Sequence, residues 1–401
     1  MSGFGGAGGA GGAGGAGGAG GAGGAGGAGG AAAIGGAGGA GGAGGAGYGA
    51  YDTPLVTDAL IYTRDGIVGS WLPPAATPTQ LTEETAANLE LWSPWVRGYV
   101  FDVELHSRIG IRQDTSNMEM LHVWHLEPAT TVTTPPTMIY KELATIARPP
   151  TASSIYKDQL KFLNEYADLR QDRASEILAQ LGASATFVGS IAYLHPDRTK
   201  WTLELLGAAF RLANFVHMRV KQGLACRRPI EYSPQVQPMI LTPAHSSFPS
   251  GHATEAFMAS TVLWALLREA AHPVYTASLC GEQLMRLASR IAINRTIAGV
   301  HFPVSSVAGA LLGLTLGHYF VARCQNSAAG YTPWKFDGSL YPGGNDFDWR
   351  LLYDVATPQQ TPSPVATPFV VKIGGGPVGL DTAWQSGLLY WLWGKAKAEW
   401  A

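Results

Sequence analysis

The sequence predicts an all-α fold, a helical bundle that follows a disordered Gly/Ala-rich N-terminal arm. Two observations predict the bundle. Long segments in the middle of the chain carry apolar residues at helical spacing, and strand-like alternation is scarce. A third observation, a run of Gly-Gly-Ala repeats at the N-terminus, predicts the arm.

Residues 1–50 contain no Asp, Glu, Lys or Arg and consist almost wholly of Gly-Gly-Ala repeats. Glycine loses more backbone entropy on folding than other residues, and this stretch has too few apolar side chains to offset that loss. We therefore expect residues 1–50 to be disordered and residues 51–401 to form one helical domain. Its core bundle should occupy about residues 152–325, between irregular flanks at residues 51–151 and 326–401.

Helical periodicity predicts the positions of the individual helices. They are Glu83–Arg97, Tyr156–Leu181, Arg198–Leu224, Ala253–Ala271, Ala277–Ile297 and Val304–Ala322. Gly182 is expected to cap the second of these at its C-terminal end. The segment from Gly330 onward is rich in turns, but its tryptophans predict that it packs onto the bundle. These include Trp334, Trp349, Trp384, Trp391 and Trp393.

The charge composition excludes some classes of function. The formal net charge is −2, so the chain has no overall electrostatic attraction for nucleic acid, and we expect no nucleic-acid partner. The three cysteines are widely spaced and include no Cys-x-x-Cys pair, which argues against structural zinc and against a disulfide framework. Cys226, Cys280 and Cys324 are expected to be buried, unreactive thiols.

No segment satisfies the sequence requirements of a membrane span or a signal peptide. The N-terminus lacks a basic start followed by an apolar run, and no stretch of roughly 18 residues is cleanly apolar. Val304–Ala322 comes nearest, but it contains Ser305, Ser306 and His318 and is expected to be a core helix of the bundle. We therefore expect no membrane span and, by default, a cytoplasmic protein. The apolar helices are compatible with a homodimer.

Three short stretches carry the residues best suited to chemistry. The first runs from Lys221 to Pro229 at the end of a predicted helix. The second, Phe248–His252, directly precedes a helix, and the third, Asn294–His301, ends another. Their order and spacing suggest that the fold brings them together.

The residue types in these stretches suit an oxyanion. Ser250 and Gly251 stand where a helix begins, so backbone N–H groups there lack intrahelical acceptors and attract anions. Lys221, Arg228 and Arg295 add three positive charges, and the planar fork of arginine matches a tetrahedral oxyanion. Burial of these cations without an anion would be costly. The sequence therefore predicts a pocket for a phosphate-like group.

Two histidines complete the predicted site. His252 can exchange protons near neutral pH, and His301 can bond directly to the central atom of the anion. Each stretch alone has an ordinary explanation: a helix cap, basic residues that complement a helix dipole, or a core histidine. Their joint occurrence favours the functional interpretation.

The patterns Lys-x6-Arg-Pro, Pro-Ser-Gly-His and Arg-x5-His resemble the three-part signature of the type 2 phosphatidic acid phosphatase and vanadium haloperoxidase superfamily. The resemblance spans Lys221 to Ser305 and implies a compact helical bundle. It also implies residue roles. His252 would be the acid–base residue, and His301 would either bond to vanadium or attack phosphorus. The residues implied to hold the equatorial oxygens are Lys221, Arg228, Ser250, Gly251 and Arg295.

Three features favour the haloperoxidase branch: the loss of an aspartate at Ser305, the additional His245, and the expected absence of a membrane span, since the lipid phosphatases of the superfamily are usually embedded in membranes. The motif itself departs from the phosphatase form at two positions. Asn294 stands where the phosphatase motif has serine, and Ser305 stands where it has aspartate. A nucleophilic histidine gains from a carboxylate that fixes its tautomer, whereas a histidine that only coordinates vanadium needs less support. His245 is similar to an additional active-site histidine of vanadium bromoperoxidases, although an ordinary loop histidine remains an alternative.

The resemblance therefore implies a vanadium-dependent haloperoxidase with vanadate (vanadium(V)) and no haem. It would oxidise halide, with bromide favoured, by hydrogen peroxide to hypohalous acid and halogenate small organic acceptors. Lys221 would polarise the bound peroxide, and His252 would take its proton. The alternatives are a phosphatase that acts through a phosphohistidine at His301, and a structural protein with a degenerate site. His122 and His125 resemble a metal pair but lack a nearby third ligand, so we expect them to belong to the core.

Overall fold

The computed structural model describes residues 54–129, 137–182 and 184–401. The predicted arm, residues 1–50, lies outside these ranges. The described helices are α1 (Pro54–Ile67), α2 (Pro94–His106), α3 (Ile155–Glu165), α4 (Arg170–Ala179), α5 (Ser184–Gly189), α6 (Lys200–Leu224), α7 (Gly251–Glu269), α8 (Ser278–Ile297), α9 (Pro303–Cys324) and α10 (Gly387–Ala398).

Strands occupy both flanks of the helical core. They are β1 (Ile109–Gln113), β2 (Met120–Pro128), β3 (Met138–Ala147), β4 (Trp334–Asp337), β5 (Tyr353–Asp354), β6 (Gln359–Gln360) and β7 (Val370–Lys372). Five of them form one mixed sheet in the order β1-β2-β3-β4-β7, and β5 pairs with β6. β3 and β4 are parallel, whereas the other pairs in the larger sheet are antiparallel. The sheet therefore joins chain segments that lie before and after the helical core.

The all-α prediction was wrong, because the described residues combine helices with a mixed sheet. Strand β2 shows why the sheet escaped the sequence analysis. Its buried positions alternate through Leu121, Val123, His125 and Glu127, but the last two are polar and break the apolar alternation. They tolerate burial because they are hydrogen-bonded: His125 lies 2.8 Å from the Tyr319 hydroxyl and 3.0 Å from the Glu127 carboxylate.

The predicted core helices match the structure closely from α6 to α9. Two earlier predictions need correction. The segment Tyr156–Leu181 is divided into α3 and α4 by a 3-10 turn at Tyr166–Leu169. The helix predicted at Glu83–Arg97 is a short 3-10 helix, Ala86–Leu91, after which α2 starts with Pro94 at its first position.

Helices α7 and α9 pack unusually close together through glycines on α9. A Cβ atom at Gly309 would lie 2.5 Å from the Ser250 carbonyl oxygen, and one at Gly313 would lie 2.3 Å from the Thr254 carbonyl oxygen. Every side chain larger than hydrogen is therefore excluded at these two positions. This close contact places the N-terminal ends of the two helices side by side.

The prediction that no segment satisfies the requirements of a membrane span was wrong. Helix α9, with 22 residues, is long and apolar enough to cross a membrane by length and composition, and its most apolar part is almost wholly buried inside the protein. Core helices of globular proteins satisfy the same criteria. The cytoplasmic location, which was expected only by default, loses that support.

The C-terminal segment packs onto the bundle, as its tryptophans predicted. The Glu399 carboxylate accepts hydrogen bonds of 2.8 Å from the backbone N–H groups of Trp201 and Thr202, which are unsatisfied donors at the start of α6. Trp393 donates its indole N–H to Glu269 on α7. The three cysteines are buried and free, as predicted.

We predict that Gly313→Ala lowers the free energy of unfolding by about 1–3 kcal/mol, because its methyl group would overlap the Thr254 carbonyl. Gly394→Ala is the matched control. This helical glycine on α10 has no atom within 4 Å of an added Cβ, so alanine should stabilise the protein by about 0.5–1 kcal/mol. Urea denaturation measures both changes. Equal stability of the two variants would contradict the close packing of α7 against α9.

Candidate active site

Lys221 lies in the last turn of α6, which ends where Ala225 adopts a left-handed conformation with φ of 48°. The Lys221 side chain is buried, and its ammonium group donates to the backbone carbonyls of Ser246, Ser247 and Pro249. Burial lowers the pKa of Lys221 well below its usual value, and the Arg228 charge lowers it further. Lys221 thus holds the loop before α7 in place while it brings a buried amine to the site.

Arg228 follows in an extended conformation and connects the other two stretches. Its Nε donates to the His245 carbonyl at 2.8 Å, and its Nη1 donates to the Val300 carbonyl at 2.9 Å. Nη1 also lies 3.1 Å from His301 Nε2. Burial lowers the pKa of Arg228 to about 10, so the guanidinium is still charged at neutral pH. Arg228 therefore joins the loop before α7 to the loop before α9.

The Pro-Ser-Gly-His stretch forms the start of α7, as predicted. Ser250 is the N-cap, and its hydroxyl accepts from the Ala253 N–H at 3.4 Å. The Ser250 N–H donates to the Ser305 carbonyl at 2.8 Å, which ties the start of α7 to the start of α9. The N–H groups of Gly251 and His252 have no intrahelical acceptor and point out of the positive end of the helix dipole.

Gly251 is required by its surroundings. A Cβ atom at Gly251 would lie 2.9 Å from Cε1 of His217, which is fully buried on α6. His217 Nε2 lies 3.1 Å from a carboxylate oxygen of Glu255, one turn further along α7. Burial lowers the pKa of His217 well below 6.5 and raises the pKa of Glu255 to about 8. Sequence reasoning missed this pair behind the predicted site.

Arg295 is fully buried in the last turn of α8. Its Nη2 donates to the Gln180 side-chain oxygen at 2.8 Å and to the Ile177 carbonyl at 3.2 Å. Its Nε and Nη1 have no hydrogen-bond partner among the residues that the structure describes. Burial lowers the pKa of Arg295 to about 10, and the Glu176 charge opposes this effect. Two charged N–H groups are therefore buried with no acceptor from the described chain.

The two predicted catalytic histidines are buried and uncharged in the free protein. Burial lowers the pKa of His252 well below 6.5, and the charges of Arg295 and Lys221 add to this effect. Burial and the Arg228 charge do the same for His301. His252 Nε2 and His301 Nδ1 have no partner in the described part of the chain. Because Arg228 donates toward His301 Nε2, that nitrogen carries the lone pair and accepts this hydrogen bond, and Nδ1 carries the hydrogen.

His245 lies beside the site, at its outer edge. His245 Nδ1 is 3.2 Å from Nη2 of Arg228. A cleft of about 550 Å³ is lined by Lys221, Arg228 and His245, whereas His252 and His301 lie outside its lining. The cleft therefore borders the Lys221 and Arg228 side of the site.

The charges of the site explain why an anion fits it. In the described ranges, no carboxylate forms a hydrogen bond or ion pair with the side chains of Lys221, Arg228 or Arg295. Glu231 accepts from the backbone N–H of Arg228 and from the side chain of the neighbouring Arg227. Buried cations are ordinarily paired. The predicted oxyanion, if it bound between these three residues, would supply a negative charge to pair with them.

Asn294 and Ser305, the two residues that depart from the phosphatase motif, differ in their hydrogen bonding. Asn294 is buried and donates to Glu176 at 2.9 Å and to the Gln180 oxygen at 3.0 Å, so it ties α8 to α4. Ser305 is also buried, but its hydroxyl forms no hydrogen bond to any described residue, including His301. Nothing in the described chain replaces a carboxylate at His301 Nδ1.

His122 and His125 point to opposite faces of β2. His125 belongs to the core, as predicted, whereas His122 is partly exposed and lies 3.0 Å from Asp114 and 2.9 Å from Glu142. Within the described ranges, no group of three His, Cys, Asp or Glu side chains is arranged to hold a metal ion.

Residues 202–328 match the model of the PAP2 superfamily. The chain contains a PAP2 superfamily domain. This domain extends from the first turn of α6 to just beyond α9 and includes all three motifs of the site. The match concerns the superfamily as a whole and does not single out the vanadium haloperoxidases.

Among solved structures, the chain is similar to a transmembrane PAP2-type phosphatidylglycerolphosphate phosphatase from Bacillus subtilis. The sequence identity is 20%, the TM-score is 0.33, and the similarity covers 42% of this chain and 84% of that chain. No curated protein matches the chain.

We predict that acidification destabilises the protein through its buried neutral histidines. His217, His252 and His301 stay unprotonated in the folded state but protonate in the unfolded state below pH 6.5. Each therefore lowers the free energy of unfolding by about 1.4 kcal/mol per pH unit as the pH falls below that value. Glu255 acts in the opposite direction, because its raised pKa makes the folded state lose stability as the pH rises from 4.5 toward 8.

The variant His252→Asn isolates one of these contributions. Between pH 5 and 6, the free energy of unfolding of this variant should fall less steeply with decreasing pH than that of the wild type, by about 1.4 kcal/mol per pH unit. Urea denaturation in a buffer without phosphate measures the slope, and His195→Asn, at a partly exposed histidine outside the site, is the control. A wild-type slope in His252→Asn would show that His252 is not a buried neutral histidine.

Proposed function

We propose that the protein hydrolyses phosphate monoesters in this pocket through a phosphohistidine on His301. The observation that carries the proposal is the buried Arg295 guanidinium, whose Nε and Nη1 lack partners among the described residues. A tetrahedral phosphoryl group offers the acceptors that these N–H groups need. The PAP2 superfamily domain supports the same function, because members of this superfamily are mostly phosphatases.

The phosphoryl oxygens are held from three directions. Arg295 approaches from the end of α8, and the Gly251 N–H approaches along the axis of α7. Arg228 approaches from the loop after α6, and its Nη1 exchanges the hydrogen bond to His301 Nε2 for one to a phosphoryl oxygen, which frees the lone pair of that nitrogen. The ammonium group of Lys221 already donates to three carbonyls, so Lys221 contributes mainly its charge. These positively charged and polar groups are fixed before the substrate arrives, as electrostatic stabilisation of a transition state requires.

In the first step, the lone pair of His301 Nε2 attacks phosphorus. A nitrogen–phosphorus bond forms, the ester phosphorus–oxygen bond breaks, and its electron pair leaves with the alcohol oxygen. The substrate binds as a monoanion and gives its proton to His252, because the bound negative charge offsets the cations that depress the pKa of this histidine. His252 then donates that proton to the leaving oxygen.

In the second step, water attacks the phosphohistidine. His252, now neutral, accepts a proton from this water as the new phosphorus–oxygen bond forms. The nitrogen–phosphorus bond breaks, and its electron pair returns to His301 Nε2. His252 gives the proton that it took from water to the inorganic phosphate, which leaves as a monoanion. The same histidine thus acts as acid and then as base, and both histidines return to the neutral state in which they began.

Vanadate-dependent oxidation of halide is a second candidate function, favoured by one observation. His301 Nδ1 has no partner in the described chain, and Ser305 occupies the position where the phosphatase motif has an aspartate. A histidine that only coordinates a metal needs less support than a nucleophile. Vanadate is a tetrahedral oxyanion like phosphate, so the unpartnered Arg295 donors fit it equally well.

For this second function, Arg228, Arg295 and Gly251 would hold the vanadate oxygens and His301 Nε2 would be the metal ligand. When bound, vanadate supplies a Lewis-acid centre at which hydrogen peroxide oxidises halide. His252 would accept a proton at Nε2, and His245 would stand at the cleft where a small organic acceptor enters.

A paired assay distinguishes the two functions. We predict that the wild-type protein hydrolyses p-nitrophenyl phosphate without vanadate, that orthovanadate inhibits this activity, and that monobromodimedone is not brominated. His301→Ala should reduce hydrolysis to background because the nucleophile is lost, and His252→Asn should reduce kcat by about 10²–10⁴-fold. His195→Ala, at a partly exposed histidine outside the site, is the control. Two results together would contradict the phosphatase proposal and support the haloperoxidase function: bromination only when orthovanadate is added, and no hydrolysis of p-nitrophenyl phosphate without orthovanadate.

A further inference from the structure

The end of α4 carries a polar side chain that reaches the site from outside the three motifs. Gln180 is the C-cap residue of α4 and is almost completely buried. It precedes the PAP2 superfamily domain, which starts at residue 202. Buried amides need several hydrogen bonds, and those of Gln180 lead directly to Arg295.

The orientation of the Gln180 amide is fixed by its neighbours. Its oxygen accepts from Arg295 Nη2 at 2.8 Å and from Asn294 Nδ2 at 3.0 Å, and its nitrogen donates to Glu176 at 3.0 Å. Glu176 is held in turn by Arg290, whose Nη2 donates to it at 2.7 Å. The Gln180 oxygen therefore faces Arg295, since a reversed amide would bring its nitrogen against two donors.

The neutrality of Gln180 matters for the charge of the site. Gln180 fixes one edge of the Arg295 guanidinium without neutralising it, whereas the nearby Glu176 carboxylate bonds to Arg290, Asn294 and Gln180. Arg295 Nε and Nη1 thus remain available for an anion. A carboxylate at position 180 would pair with Arg295 and repel a bound phosphate.

Gln180 is also linked to the acid–base histidine. Burial and the Arg295 charge lower the pKa of His252, whereas a hydrogen bond to the Gln180 backbone acts in the opposite direction. The other ring nitrogen, Nε2, has no partner among the described residues. One residue on α4 thus contacts both a cation and the proton-transfer group of the site.

We propose that Gln180 is a positioning residue of the anion site, which aims the Arg295 guanidinium at the bound oxyanion and keeps its charge uncompensated. This proposal concerns the oxyanion that the proposed function places in the pocket, and it applies equally to phosphate and vanadate. The substitution Gln180→Glu keeps the side-chain length but adds a negative charge, whereas Gln180→Leu removes the hydrogen bonds without adding charge.

The test measures binding of inorganic phosphate and of orthovanadate by isothermal titration calorimetry at pH 7, with the full chain. Gln180→Glu should weaken both anions by about tenfold or more, because it removes the free charge of Arg295. Gln180→Leu should weaken them less, by about three- to tenfold. Gln360→Leu is the control, since Gln360 is a buried amide that bonds to Thr315 on the opposite part of α9 and should leave anion affinity unchanged.

A kinetic measurement separates positioning from loss of stability. With p-nitrophenyl phosphate, Gln180→Leu should raise KM, and the inhibition constant of orthovanadate, more than it lowers kcat. If Gln180→Glu does not fold, Gln180→Leu alone tests the positioning role. Wild-type affinity in every folded Gln180 variant, or an equal loss in Gln360→Leu, would overturn the positioning role and leave the proposed function standing. A wild-type protein that binds neither anion would overturn the proposed function itself.

Discussion

The close packing of α7 against α9 is the constraint on which the site depends. Gly309 and Gly313 allow the two helices to approach until a methyl group would overlap backbone atoms. The Ser250 N–H can then reach the Ser305 carbonyl, which fixes the start of one helix beside the start of the other. Because of this contact, residues far apart in the sequence face one space. A looser contact would separate the Gly251 N–H from His301 and leave neither able to act on the same anion.

A second feature of the structure is that the cationic side chains of the site are hydrogen-bonded to neutral groups and form no ion pair with a carboxylate in the described part of the chain. Arg228 and Lys221 are held by backbone carbonyls, and Arg295 is held by a carbonyl and the neutral amide of Gln180. Neutral partners fix the geometry of a cation but leave its charge for a ligand. Burial, together with the same cations, lowers the pKa values of His252 and His301, so both rings are neutral and able to accept a proton or a bond. In the proposed function, a bound oxyanion would offset the unfavourable free energy of burying these cations.

The sequence predicted the motif residues and core helices but missed the sheet and the supporting residues, for physical reasons. The three motifs are short, and their residue types are tied to anion chemistry whatever the surrounding fold. Strand β2 was missed because His125 and Glu127 occupy buried positions where apolar residues are expected. Gln180 belongs to no motif, and an amide in a helical segment resembles a surface residue. His217 had a usable signal, since it precedes Lys221 by four residues and must share its face of α6.

Both candidate functions require an oxyanion to bind between the start of α7 and the end of α8. The most direct measurement is a crystal structure of the protein grown with orthovanadate, which mimics the phosphoryl group in both candidate functions. We predict one anion with its oxygens about 3 Å from Arg295 Nε and Nη1 and from the Gly251 N–H, and its central atom facing His301 Nε2. An anion bound elsewhere, with the Arg295 guanidinium still lacking a ligand, would contradict the account.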